Sequence, residues 1–219
     1  MALTMDDRAE LVLDAAWALL PPLKREILLE GIVIDDLGAV HGTYASETKV
    51  LTLSERLFWG ENDAQILCID IHGECPPQSY PLCSRALHTT IHELFHALGD
   101  VTGLDGTGEW LRLSGWAQRD DDPVGTGRYY ETRPGWHQER SEWRYRTEST
   151  WFAREYSTKS PYEDFADMAT HVALGWQDFI DTSGQQKLAY LRKFVWEERG
   201  ASRILAVRER WKRRLHGVG

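Results

Sequence analysis

The pentapeptide His92-Glu93-Leu94-Phe95-His96 constrains this chain more than any other feature, because its chemistry exists only on a helix. Side chains four residues apart share one helical face, so both imidazoles can reach one ion. Glu93 stands beside them, angled so that its carboxylate reaches a water rather than the ion. The flanking sequence supports the helix. Leu87, Ile91, Leu94, Phe95 and Leu98 form a broad apolar face, which predicts a helix from about 84 to 98 with Gly99 in the stop position. A helix with two surface histidines is the plain alternative. On an apolar helix, two imidazoles and a carboxylate are costly to desolvate, and zinc held by His92 and His96 accounts for them better.

The rest of the chain is long enough to give that helix a core. Its 219 residues, 42% hydrophobic and 27% charged, suit a folded domain that needs no covalent staples. No apolar run approaches the roughly 18 residues of a membrane span, and a net charge of −9 argues against a general nucleic-acid or anionic-membrane binder. Neither a nucleic acid nor a membrane is therefore expected as a partner. The first ten residues carry Asp6, Asp7 and Glu10 in place of a basic leader, so the expectation is a cytoplasmic protein, or one exported without a Sec signal peptide. Cys68, Cys75 and Cys83 cannot all pair within one chain and are expected as reduced thiols; a Cys75–Cys83 bridge after export is the minor alternative.

Periodicity predicts a helix over 5–20, stopped by Pro21-Pro22, and a short second helix over 22–30. Strands follow at 32–34, 49–54 and 64–71. Residues 100–150 read as irregular, with Trp110, Trp116, Trp136 and Trp143, and Trp151 just beyond. These rings are expected to fold the segment onto the domain, and lining a substrate cleft is the lesser reading. Helices are predicted from Ser160-Pro161 to about Leu174, over 184–198 and over 201–215, the last an Arg-rich solvated face. Strands first and helices later give an α+β class. The expected organisation is a single domain: N-terminal helices over 1–30, sheet and zinc helix over 31–99, a Trp-rich insertion over 100–155 and a helical part over 156–219.

A catalytic zinc takes three protein ligands and keeps one position open. The metzincin continuation, which needs a third histidine at position 102, fails because Thr102 stands there. Gly125-Thr126 with Tyr129 only echoes the aspzincin pattern and lacks its acid. A glutamate on a second helix remains, with an acid four residues later to bond a ligand histidine. Glu163 and Asp167, in Tyr162-Glu163-Asp164-Phe165-Ala166-Asp167, have that spacing. Ser160-Pro161-Tyr162-Glu163 is also a capping box, and capping alone would explain Ser160 and Glu163. The ligand reading weighs more, because the acid at the second offset has no place in a cap.

Together, His92-Glu93-x-x-His96, Tyr156 and Glu163-Asp-Phe-Ala-Asp167 resemble the gluzincin peptidases related to the catalytic domain of anthrax lethal factor and to the secreted Pro-Pro endopeptidases. Those enzymes carry a tyrosine seven residues before the glutamate ligand, which here is Tyr156. The resemblance touches roughly residues 20–175, and the segment between His96 and Glu163 is longer here and Trp-rich. It implies a zincin-like fold, with a small mixed sheet packed on the active-site helix and a mainly helical C-terminal part. It also implies one catalytic Zn²⁺ on His92, His96 and Glu163, with Glu93 as general base and Tyr156 as hydrogen-bond donor to the oxyanion. The implied activity is a zinc endopeptidase acting on polypeptide substrates, within which an effector- or toxin-like protease falls. Asp167 is expected to orient His92 or His96; His171, one turn beyond it, is expected in a solvent or core role, with a place near the site as the lesser reading. The motifs also admit a zinc-dependent hydrolase of a non-peptide amide and a catalytically silent zinc-binding module. Retention of Glu93 and Tyr156 speaks against the silent module, since a structural site needs neither.

Overall fold

Thr4 opens the first helix. Its hydroxyl accepts from the Asp7 N–H at 3.2 Å while the Asp7 carboxylate accepts from the Thr4 N–H at 2.8 Å, a reciprocal cap that starts α1, Met5–Leu19. Leu20 is extended, as a residue before proline is biased to be, and Pro21-Pro22 ends the helix where the sequence predicts. The computed structural model describes residues 4–58, 85–118, 129–131, 143–146, 151–175 and 184–196. The predicted strand over 64–71, the Arg-rich helix over 201–215, Trp136 and the three cysteines lie outside them. Among the described residues, no helix is long and apolar enough to cross a membrane.

The elements give an α+β chain with mostly helical content. By internal contacts it divides into two compact units, Met1–Leu20 with Ile27–Ala97, and Pro21–Glu26 with Leu98–Gly219. The boundary falls inside one continuous helix, α2, Arg85–Thr102.

The first unit holds a small mixed sheet in the order β1-β3-β2: β1 Gly31–Asp35, β2 Gly42–Ala45 and β3 Val50–Ser54. β1 runs parallel to β3 with Ile32 opposite Leu51, and β2 runs antiparallel to it with Gly42 opposite Leu53. Leu51 and Leu53 lie two apart on β3, so both point to one face, and both are fully buried. α1 buries Ala9, Val12 and Ala16 on one stripe, and Arg8 Nη1 donates to the Phe58 carbonyl at 2.9 Å, which ties the helix to the chain leaving β3. The helix expected over 22–30 is only a 3₁₀ turn, Pro22–Glu26.

The second unit corrects the expectation of an irregular 100–150. It contains a short helix α3, Gly108–Leu113, and an antiparallel sheet in the order β4-β6-β5: β4 Trp116–Gln118, β5 Tyr129–Glu131 and β6 Trp143–Arg146. Strands of three or four residues separated by long connections leave too little period-2 pattern to read. Two helices follow, α4, Pro161–Ala173, and α5, Gln185–Leu191; the helix predicted to reach 198 passes into a π-helical turn at Arg192–Trp196.

α4 is the axis of this unit, with Phe165, Ala166, Met168 and Ala169 fully buried. The tryptophans wrap it. Trp110 packs edge-on to Phe165 and donates Nε1–H to the Pro161 carbonyl at 3.1 Å, and Trp116 donates to Asp164 Oδ2 at 3.2 Å. Each ring thus buries its large apolar area and finds a partner for its one polar atom. Lys187 on α5 is fully buried. Its ammonium donates to Asp164 Oδ1 at 2.7 Å, Asp164 Oδ2 at 2.8 Å and the Trp151 carbonyl at 2.7 Å, which uses all three of its donors.

Tyr190, on the same helix, donates to the Leu104 carbonyl at 3.0 Å and shares a 2.7 Å bond with Thr107 Oγ1. Burial is the main cause that pushes its phenol up to about 12; the charges of Glu109 and Asp105 add to it and the Thr107 bond opposes it. A folded-state value above the ordinary ~10 means that the folded chain holds the proton more tightly than the unfolded one. The resulting stabilisation is complete below about pH 10 and is lost as pH rises through about 12. Tyr190→Phe is expected to cost about 1 kcal/mol at neutral pH. It should also flatten the fall in stability between pH 10 and 12, measured by urea unfolding at stepped pH. An unchanged slope would exclude Tyr190 as the titrating group.

Candidate metal centre

α2 presents the motif. It runs through Gly99 and ends at Thr102, so Gly99 is not its stop; Gly103 is, with φ +71° and its N–H bonded to the Gly99 carbonyl at 2.6 Å. Gly99 is required for a different reason. A Cβ there would collide with the Asp105 carboxylate, which is buried against the helix. Leu87, Ile91, Leu94, Phe95 and Leu98 are all buried, as the apolar face predicts.

His92 and Glu93 are buried too, and His96 is half-buried. The Nε2 atoms of His92 and His96 lie 3.1 Å apart, their rings edge to face with centroids at 4.7 Å. Two nitrogens each about 2.0–2.1 Å from one tetrahedral zinc would be roughly 3.3 Å apart, so the pair is spaced for a shared ion. One turn earlier, His88 stacks on the His92 ring at 6.3 Å between centroids. The H-E-x-x-H pattern does not include it, and its offset of four before His92 is the one signal in the sequence that points to it.

Glu93 packs against the sheet. A Cβ at Gly42 on β2 would lie 2.8 Å from Thr89 Cγ2, 3.0 Å from Glu93 Cγ and 3.3 Å from Leu53 Cδ2. The glycine lets the strand pass directly over the aliphatic stem of Glu93. The predicted strand over 64–71 is outside the described residues; β2 is a strand on which this contact is seen.

Glu163 stands in the first turn of α4. Ser160 is the N-cap, its hydroxyl accepting from the Glu163 N–H at 3.2 Å, with Pro161 at the first helical position. This cap engages the backbone N–H of Glu163. His92, His96 and Glu163 each offer a ligand atom, and those atoms all lie within 4.8 Å of one another, a group that could hold a metal ion. Two imidazoles and one carboxylate are a donor set that zinc accepts, though not zinc alone. The residues present therefore fit the ion.

Asp167, fully buried one turn beyond Glu163, accepts from the residues before α4. Its Oδ1 accepts from Arg154 Nε at 2.8 Å, with Arg154 Nη2 at 2.5 Å, and its Oδ2 accepts from Ser157 Oγ at 2.7 Å. Neither Arg154 nor Ser157 stands out in the sequence, since they lie 13 and 10 residues away with no periodic relation to Asp167. Tyr156 sits between them on a 3₁₀ turn, Glu155–Lys159, and is 38% exposed. His171 belongs to the core. It is buried, its Nδ1 lies 3.0 Å from the Asp167 carbonyl, and Trp151 meets its ring edge-on at 6.2 Å. Burial holds His171 below the usual histidine range, against the opposing pull of the Asp167 carbonyl and carboxylate and with the Arg154 charge adding to the effect. Compared with known proteins, the chain matches no family model, no curated sequence and no solved structure.

Proposed function

We propose that this chain is a zinc-dependent endopeptidase with a zincin-like fold, holding its ion on His92, His96 and Glu163. The observation that carries the reading is the convergence of those three ligand atoms to within 4.8 Å, although His96 and Glu163 stand 67 positions apart in the chain. An H-E-x-x-H helix alone supplies two ligands, and the third comes from a separate helix whose sequence gives it a cap as well. When bound, zinc would supply Lewis acidity, polarising the scissile carbonyl and acidifying water at neutral pH.

The chain's own residues would do the rest. Glu93, neighbour of the first ligand and packed against Gly42, takes a proton from the attacking water and passes it to the leaving amine. Tyr156 donates a hydrogen bond to the carbonyl oxygen as that atom gains charge; losing such a donor typically costs about 10²–10³ in rate. A polypeptide is the expected substrate.

The test begins with the ion. Purified protein should carry one zinc per chain by mass spectrometry of the metal. Glu163→Ala should weaken zinc binding by more than the roughly 10–100-fold that loss of an outer hydrogen-bond partner causes. Full occupancy in Glu163→Ala would leave Glu163 as a cap residue and remove the three-ligand site.

A further inference from the structure

We propose that Asp167 is a positioning residue for Tyr156, gripping the chain on both sides of the tyrosine through Arg154 and Ser157. The inference rests on Tyr156 acting as the oxyanion donor, and it gives a buried carboxylate on the ligand-bearing helix a task that helix formation does not explain.

The difficulty that Tyr156 poses is mechanical. It lies on a five-residue 3₁₀ turn, a short element with poor hydrogen-bond geometry, and the residue is more than one-third exposed. A hydroxyl that stabilises developing charge has to be held to within about 0.5 Å, and a turn of this kind does not do that unaided.

Asp167 supplies the missing constraint from α4. The residue after Tyr156, Ser157, is fully buried and gives its single hydroxyl proton to Asp167 Oδ2 at 2.7 Å; the serine Oγ in turn accepts from the Arg154 N–H at 3.2 Å. The serine is thus fixed in direction, from the Arg154 backbone through Ser157 to the carboxylate. Two residues before the tyrosine, the Arg154 guanidinium closes on the other carboxylate oxygen through both Nε and Nη2. Residues 154 and 157 bracket Tyr156, so three side-chain bonds to one buried carboxylate fix both ends of its peptide segment.

The grip extends to the ring. Arg154 Cζ lies 5.0 Å from the Tyr156 centroid and Lys159 Nζ lies 3.6 Å from it, so two cations rest on the ring. Arg154 holds backbone and ring together, because one end of its guanidinium meets Asp167 while its carbon lies over the phenol. Lysine at 154 would keep the charge but lose the planar fork.

The decisive measurement pairs hydrogen exchange with kinetics on the zinc-loaded, full-length chain. In Ser157→Ala and in Arg154→Met, amide exchange over 155–159 should accelerate about tenfold or more, while amides of α4 exchange as in the unchanged protein and zinc stays at one per chain. With a peptide substrate, kcat should fall about 10–100-fold at constant KM, the usual scale for an outer positioning partner. Ser157→Thr, which keeps the hydroxyl, should restore both. On a Tyr156→Phe background neither substitution should lower kcat further, because all act through one hydroxyl. Unmoved exchange at 155–159, or a kcat loss repeated in full on Tyr156→Phe, would overturn the proposal. Exchange reads the clamp directly, so a chain with no Glu93-dependent turnover would sink the peptidase reading while the clamp was still decided. If Ser157→Ala perturbs α4, Arg154→Met decides alone.

Discussion

Glu93→Gln is expected to keep one zinc per chain and to lose about 10²–10⁴-fold of peptide-bond turnover, the span a positioned general base contributes. The substitution is informative because of Gly42. Glutamine retains the Cγ that would meet a Cβ at Gly42 at 3.0 Å, so the packing of β2 over the helix is unchanged and only the basicity of the side chain is removed. A fall in rate with intact zinc and an unchanged unfolding curve therefore isolates proton transfer from folding and metal binding. Cleavage-site profiling of a proteome digest supplies the readout whatever the substrate. Peptides present with the unchanged protein and missing with Glu93→Gln also define the preferred bond. Identical profiles from the two proteins, each loaded with zinc, would refute the endopeptidase reading. A profile lost together with zinc would show Glu93 to be part of the ion's support rather than the base.

What the sequence made visible follows from how local its causes are. α1, α2 and α4 could be read because each is written in adjacent residues: the periodicity stopped by Pro21-Pro22, the apolar face from Leu87 to Leu98, and Ser160-Pro161 as cap and first turn. β3 could be read because Leu51 and Leu53 alternate with Thr52. Gly99 misled for an instructive reason. A glycine at the end of an apolar periodicity normally terminates a helix, but this one serves the carboxylate of Asp105, six residues on and invisible to any local pattern. The true stop, Gly103, lies one turn later.

The site divides along the same line. His92, Glu93 and His96 are fixed by helical spacing, and Glu163 and Asp167 by an offset of four on a helix with a readable cap. Tyr156 enters the proposed site only through resemblance, because nothing in Tyr156-Ser157-Thr158-Lys159 marks it locally. The partners of Asp167 escaped because a hydrogen bond across 10 or 13 residues leaves no periodic trace. Lys187 escaped more completely. Nothing in Gln185-Gln186-Lys187 marks it locally, yet it is fully buried against Asp164.

Lys187→Met is accordingly expected to be the most destabilising single change among these, at about 3–5 kcal/mol, the usual cost of leaving one member of a buried ion pair without its partner. For a chain of this length that is a fall of roughly 6–20 °C in Tm. Burial pushes Lys187 down and Asp164 up, each towards its neutral form, and each is opposed by the charge of the other. The pair therefore persists only while both members remain. Methionine fills the aliphatic space of the lysine between Trp110 and Phe152 but takes from the Asp164 carboxylate the ammonium that pairs with it, while the Trp116 N–H remains. Adding Asp164→Leu to Lys187→Met should recover part of the loss, since no charge then remains buried. Recovery should be incomplete, because the Trp151 carbonyl and the Trp116 N–H lose their partners in the double variant. Thermal unfolding of the three variants, with zinc held constant, checks the sequence of effects. A single-variant shift under about 3 °C would place Lys187 in water and dissolve the pair, whereas a double variant no better than Lys187→Met would assign the loss to those two orphaned backbone and indole groups. The pair also bears on the proposed metal site. Asp164 follows Glu163 directly and anchors the first turn of α4 to α5, so the backbone of the proposed ligand Glu163 is pinned by an ion pair that the proposed mechanism does not use.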